Sequence, residues 1–288
     1  MPPLLRSARP RQWVKNVLVF AAPGAAGVLD EPDQLGRTLL AFAAFCLAAS
    51  GTYFWNDVLD VEADRAHPKK SKRPIAAGEV SLAMGRTMGV VLPLLALVVM
   101  GFTGSWKAVL VVATYLAITL SYSAVWKHIA VLDLIAIASG FVLRAAGGAY
   151  AVDVPMSSWF VLVTTFGSLF IVTGKRFAEA RELGDGAVSI RTTLGEYSER
   201  YLSFVLAVSC GGALVSYCMW AFEVKDMAAS DLPYYELSIV PMFAAFLRYA
   251  LVLDQGHGAA PEEVFSNDRV LQLLGLAWVI IFGLAVYT

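Results

Sequence analysis

Long apolar runs separated by short polar links set the pattern of this chain. They extend approximately from Thr38 to Trp55, Thr87 to Thr103, Ala108 to Val125, Ile129 to Val152, Trp159 to Val172, Tyr201 to Phe222, Ile239 to Leu253 and Leu271 to Tyr287. An earlier run, entered through Arg6, Arg9, Arg11 and Lys15, ends near Leu29 and brings the number to nine. Most are about 17 to 24 residues long, enough to cross a hydrocarbon core of about 30 Å, and the shorter ones can borrow flanking residues. Backbone groups in lipid must be satisfied within their own segment, so every run is predicted to be a helix. The expectation is an all-α, polytopic integral membrane protein with about nine transmembrane helices, forming a single transmembrane domain over residues 1–288.

The first run has the basic start and Ala/Gly-rich end of a signal peptide. Trp13, Lys15 and Asn16 at its entrance read instead as an interfacial anchor, and a retained span is expected. Composition agrees with the membrane reading: 58% of the residues are hydrophobic and 16% charged, which excludes an ordinary soluble core. Cys46, Cys210 and Cys218 lie inside apolar runs without metal-ligand spacing and read as small buried residues.

The net charge of −1 says little, whereas the placement of the charges says much. With the N-terminus cytoplasmic, nearly all Lys and Arg fall on the inner side, and only Arg37, Lys107 and Lys225 face outward. The outer links carry Asp30, Glu31, Asp33, Asp153, Glu223, Asp226, Asp231 and Glu236. Two polar segments then share the cytoplasmic side, one after the second run and one after the sixth.

The first of these, Asn56 to Arg73, holds four acidic residues and then five basic ones. Asn56, Asp57, Asp60 and Asp64 would share roughly one face of a continuing helix. Carboxylates stacked near a membrane repel unless a cation neutralises them. Hard oxygen donors suit Mg²⁺, which bridges one or two carboxylates to substrate phosphates, and Lys69, Lys70, Lys72 and Arg73 would cover remaining phosphate charge. The competing reading is an acidic helix end balanced by its own basic tail. In the second segment Lys175, Arg176 and Glu179 lie at helical spacing, and Gly184 and Gly186 mark a turn; a solvated connector is the alternative.

Arg144 lies well inside an apolar run, where an ionisable group is costly unless it faces a polar interior, so a cavity-facing role is expected. Tyr122 and Lys127 flank the cytoplasmic turn between the fourth and fifth of the nine spans, with Asp133 opening the next helix, and anchoring competes with function there. His67, His128 and His257 have no mutual spacing suited to a metal or a catalytic base and read as structural. The loop from Asp254 to Arg269 reads equally as a cap or a plain connector.

NDVLDVEAD, from Asn56 to Asp64, resembles the NDxxDxxxD motif of the UbiA-type intramembrane prenyltransferase superfamily. The resemblance implies nine transmembrane helices around a cytoplasm-facing cavity. RPRQWVKN, KSKRPIAAG, LRAAGGAYAVDVPMSSW, GKRFAEA and APEEVFSNDRVLQ resemble one branch, which transfers 5-phosphoribose from phosphoribosyl pyrophosphate (PRPP) to a polyprenyl phosphate, releasing pyrophosphate, toward cell-wall arabinan. The resemblance thus implies a Mg²⁺-dependent pentosyltransferase of the bacterial plasma membrane with a cytoplasmic active site. Asp57 and Asp60 would be catalytic, and Asn56, Asp57, Asp60 and Asp64 would hold the metal. Lys15, Asn16, Arg73, Tyr122, Lys127, Arg144, Lys175, Arg176 and Glu179 would bind substrate.

Where aromatic prenyltransferases of the superfamily carry a second Asp-rich motif, this chain has Lys175, Arg176 and Glu179, which suits a donor with an additional phosphate. The implied partners are PRPP, a polyprenyl phosphate lipid and the membrane, without nucleic acid; assembly into homo-oligomers stays open. Two other readings stand beside this one: prenyl transfer from a prenyl diphosphate to an aromatic acceptor, and a non-catalytic membrane transporter.

Overall fold

The computed structural model describes residues 1–183, 192–225, 232–256, 258 and 260–288. Gly184, Gly186, Asp226, Asp231 and His257 lie outside the described residues. Among the described residues the regular structure is entirely helical. Eight helices among the described residues are long and apolar enough to cross a membrane. Contacts divide the chain into one unit of Met1–Trp126 with Leu143–Pro155 and another of Lys127–Val142 with Met156–Thr288.

The first unit opens with α1 (Pro3–Ala8), a 3-10 helix (Pro10–Phe20) and α2 (Ala21–Ala25). It continues through α3 (Pro32–Leu59), α4 (Val61–Ala66), α5 (Leu82–Gly101) and α6 (Trp106–Ala124), and takes the second half of α7 (Leu132–Ala151). The run expected to be the first spanning helix therefore differs in kind from the others. Pro10 follows Arg9, whose φ of 54° is left-handed and ends α1.

Beyond Arg9 the chain runs antiparallel along α3. Arg9 meets Asp57, Trp13 Nε1 donates to Ser50 Oγ (3.1 Å), Asn16 Nδ2 donates to Cys46 Sγ (3.2 Å), and the rings of Phe20 and Phe42 lie 5.8 Å apart. A 3-10 helix rises about 2.0 Å per residue against about 1.5 Å for an α-helix, so both strands of this pairing advance about 22 Å. A length that would leave an α-helix too short suffices in the more extended form.

Small residues allow this close packing. Gly148 of α7 faces the backbone of the 3-10 helix, and a Cβ there would stand 1.8 Å from the Val19 carbonyl oxygen. Gly51 of α3 similarly accommodates Pro93 inside α5, with a Cβ position 2.3 Å from its ring. Around them Val19, Ala41, Ala44, Phe45, Ala48, Met100, Val112 and Tyr115 build a buried core.

The second unit holds the start of α7, α8 (Ser158–Leu183), α9 (Thr192–Glu196), α10 (Glu199–Val224), α11 (Tyr234–Asp254), α12 (Pro261–Asn267) and α13 (Arg269–Tyr287). Its core joins Leu134, Phe170, Phe177, Tyr197, Leu202, Tyr249, Leu253, Val264 and Leu271. The Asp254–Arg269 link is more than a plain connector: Val264 of α12 enters the core and Phe265 stacks on Tyr249 at 5.5 Å. Asp268 caps α13 by accepting the Leu271 N–H (2.9 Å) and accepts Arg248 Nη2 at 2.8 Å. These two donors, Arg248 foremost, hold its carboxyl below the usual range.

Apolar residues also cover outward faces. α5 exposes Val90, Val91, Leu94 and Val98, and α13 exposes Leu273, Leu276, Val279 and Ile280. Faces this apolar are suited to contact with lipid.

Candidate functional site

The acidic motif lies where α3 stops. Asp60 has left the helix (φ −95°, ψ 10°), so one continuous helix does not carry all four motif residues as the spacing suggested. The break is mild, because Asp60 N–H still donates to the Asn56 carbonyl (2.9 Å) and Asp64 N–H to the Asp60 carbonyl (2.8 Å). α4 then resumes, and Asp57 and Asp64, each 2% exposed, turn to the same side. Asn56 and Asp60 are half-buried beside them.

The basic half of the segment folds back over these carboxylates. Ile75 and Val80 pack on Phe54 and Val61 in a small core of their own, and the Ala77 N–H closes a turn on the Arg73 carbonyl (2.8 Å). His67 Nδ1 accepts the N–H groups of Lys69 (3.1 Å) and Lys70 (3.2 Å), a turn-forming role. Arg73 is thereby aimed inward. Its Nη1 contacts both Asp57 Oδ1 (3.1 Å) and Asp64 Oδ2 (2.6 Å).

Arg9 reaches the same Asp57 oxygen from the N-terminal segment, with its guanidinium 4.7 Å from the centre of the Tyr53 ring. Sequence reading assigned Arg9 only to topology, although it stands in RPRQWVKN; its contact spans 48 residues and leaves no local spacing signal. Lys69 and Lys72 remain on the surface. Lys15 is half-buried, its Nζ donating to Gln12 Oε1 (2.5 Å).

Deeper in the first unit, Arg144 is held by residues from two other helices. Its Nε donates to Asn16 Oδ1 (2.7 Å) and its Nη2 to Tyr115 Oη (3.0 Å). Asn16 is fully buried and Arg144 is 6% exposed, so this polar site is internal to the unit's packing. Tyr115 had no part in the sequence reading. Tyr122 lies half-buried near the end of α6.

The second unit has its own charged network. Fully buried Asp133 accepts Arg176 Nε (3.1 Å) through Oδ2 and the Tyr197 hydroxyl (2.5 Å) through Oδ1. Arg176 Nη1 donates to Glu179 Oε2 (2.7 Å), and Lys175 Nζ lies 3.8 Å from Glu179 Oε1. Arg176, 1% exposed, is thus committed to carboxylates, while Lys175 is the more accessible cation. Burial, and then the bond to Asp133, push the Tyr197 hydroxyl well above the ordinary tyrosine range. Lys127 sits half-buried in the short 3-10 turn before α7. Asp133 was visible in the sequence as a helix opener; Tyr197, 64 residues away, was not.

For divalent metal, no group of three His, Cys, Asp or Glu side chains is so arranged among the described residues. What exists is a pair of carboxylates converging on one nitrogen of Arg73, with Asn56 and Asp60 adjacent in the motif. Such an all-oxygen, two-carboxylate set suits a Mg²⁺ ion that draws its other ligands from water and phosphate.

The UbiA prenyltransferase family model matches residues 17–276. The chain belongs to the UbiA prenyltransferase family. Among its UbiA relatives, decaprenyl-phosphate phosphoribosyltransferase of Mycolicibacterium smegmatis is 43% identical, covering 99% of this chain and 92% of the relative. The Corynebacterium glutamicum protein of that name is also 43% identical, over 99% of this chain and 86% of its own. The UbiA fold is equally evident in solved structures. A UbiA homolog from Archaeoglobus fulgidus bound to GPP and Mg²⁺ aligns with a TM-score of 0.74 at 18% identity, covering 99% of both chains. An apo UbiA homolog from Aeropyrum pernix aligns at 0.66 and 18%, over 96% of this chain and 98% of that one. This chain is accordingly a multi-pass membrane protein with the UbiA helical fold.

Proposed function

We propose that this protein transfers 5-phosphoribose from PRPP to decaprenyl phosphate or a similar polyprenyl phosphate and releases pyrophosphate. The observation carrying this choice is the 43% identity, over 99% of the chain, to a relative named for that reaction. The ribose C1 bond to pyrophosphate breaks, its electron pair leaves with the pyrophosphate, and an acceptor phosphate oxygen forms the new bond to C1. That oxygen is already ionised at neutral pH, so no general base is required.

Mg²⁺ would be the cofactor and would supply charge neutralisation for the leaving pyrophosphate. Asp57 and Asp64 would hold it, with Asp60 and Asn56 in support. Arg73 and Arg9 now neutralise Asp57, and their guanidiniums are suited to exchange carboxylate for phosphate oxygens as charge develops on the leaving group. Lys15, Tyr122, Lys127, Lys175 and Glu179 are assigned to substrate contact. Arg176 is assigned to holding Glu179, and Asn16 with Arg144 to shaping the interior of the first unit. The clustered Lys and Arg support a bacterial plasma-membrane protein with N-terminus and active site cytoplasmic.

The deciding assay gives purified protein Mg²⁺ with PRPP and polyprenyl phosphate, or with prenyl diphosphate and an aromatic acceptor. Pyrophosphate release together with lipid-linked phosphoribose is expected from the first mixture only. Turnover of the second mixture but not the first would overturn the assignment in favour of prenyl transfer.

A further inference from the structure

Val131, immediately before α7, has a left-handed backbone (φ 69°), a conformation that costs a β-branched residue more than most. Its side chain offers no capping oxygen to the helix it precedes. What holds it comes from far along the chain: its N–H donates to the Tyr197 hydroxyl at 2.6 Å. The same hydroxyl donates to Asp133 Oδ1 at 2.5 Å, and Asp133 in turn binds Arg176 and, through it, Glu179 at the end of α8. Tyr197 is 7% exposed and stacks on Tyr201 with ring centres 5.7 Å apart, so its ring is fixed independently of its hydroxyl.

We propose that Tyr197 is a positioning residue whose hydroxyl locks the Lys127–Val131 turn to the Asp133–Arg176–Glu179 network and so sets where Lys127 presents its charge. Both ends of the hydroxyl are used, one to impose an unfavourable turn and the other to tie it to a buried anion. A phenylalanine would keep the stacking and lose both bonds. The kinetic consequence rests on the phosphoribosyl-transfer reading, because Lys127 is there a phosphate contact; the lock itself does not.

Two measurements on the full-length protein in lipid nanodiscs separate these. Amide hydrogen exchange at Val131 should accelerate at least about tenfold in Tyr197→Phe, as expected for losing one ordered acceptor. With Mg²⁺ and polyprenyl phosphate present, KM for PRPP should rise about tenfold in that variant while kcat changes by less than about threefold. Glycine accepts the left-handed turn without strain, so adding Val131→Gly to Tyr197→Phe should restore most of the KM. A structural role in packing alone would not be rescued that way. Unchanged exchange in Tyr197→Phe, an unchanged KM, or a failure of Val131→Gly to rescue it would each overturn the proposal. A wild-type protein that does not turn over PRPP would instead defeat the assigned reaction, with the exchange result still deciding the lock.

Discussion

Arg73 Nη1 lies 2.6 Å from Asp64 Oδ2, and that one nitrogen also reaches Asp57 Oδ1 at 3.1 Å. The two carboxylates therefore converge on a single cationic position although they stand seven positions apart in the chain. Mutual repulsion would otherwise push them apart, so a positive charge between them is a condition of the arrangement.

If those carboxylates hold the metal, Asp57→Asn and Asp64→Asn should each lower phosphoribosyl transfer by at least about 100-fold. Initial rates across a Mg²⁺ titration check this. The same substitutions leave Arg9 or Arg73 with one fewer counter-charge, so a modest fall in melting temperature is expected alongside. Retention of full activity in both variants would remove the proposed metal site.

Asn16 is the buried acceptor for Arg144, and its loss strands a guanidinium donor inside the first unit. Asn16→Leu should destabilise the protein by roughly 1.5–3 kcal/mol, the usual range for a hydrogen bond to a charged group. Asn16→Asp keeps an acceptor and should lose much less. Thermal unfolding of both in the same detergent makes the comparison.

Gly148→Ala should be among the most damaging small substitutions, because its Cβ would lie 1.8 Å from the Val19 carbonyl oxygen, a backbone atom that cannot rotate away. A loss of about 3 kcal/mol or more is expected. Gly211→Ala is the control: no heavy atom lies within 4 Å of its Cβ position, and the better helix former should gain about 0.5–1 kcal/mol. Parallel melting curves decide it.

Tyr197 gives a pH signature. Its hydroxyl is held above the ordinary tyrosine range by burial and by Asp133, so the folded state retains that proton more tightly than the unfolded chain does. The resulting stabilisation is complete below about pH 10, the unfolded value, and is lost as pH rises beyond it. The melting-temperature advantage of wild type over Tyr197→Phe should hold from pH 7 to 9 and shrink above about pH 10. A gap constant to pH 11 would count against the coupling.

The membrane class, the later helices and the place of the acidic motif were all legible along the chain, because lipid imposes long apolar runs and the motif's carboxylates stand at short spacing directly after one of them. The runs read from Thr38 onward correspond to the eight long helices. Hydropathy was a poorer guide to the first run. It reports whether a segment prefers lipid but not its backbone form, and the Pro10–Phe20 segment, which starts after a left-handed Arg9, is a 3-10 helix.

What tertiary structure alone decided is the pairing of charges. Sequence put Arg73 near the acidic motif, but Arg9 to Asp57, Arg144 to Asn16 and Tyr197 to Asp133 join positions 48, 128 and 64 residues apart. Local periodicity carries no record of such partners, since each is set by which helix faces pack together. Apolar length determined that this chain enters the membrane; the need to satisfy every buried polar group within it determined which residues meet there.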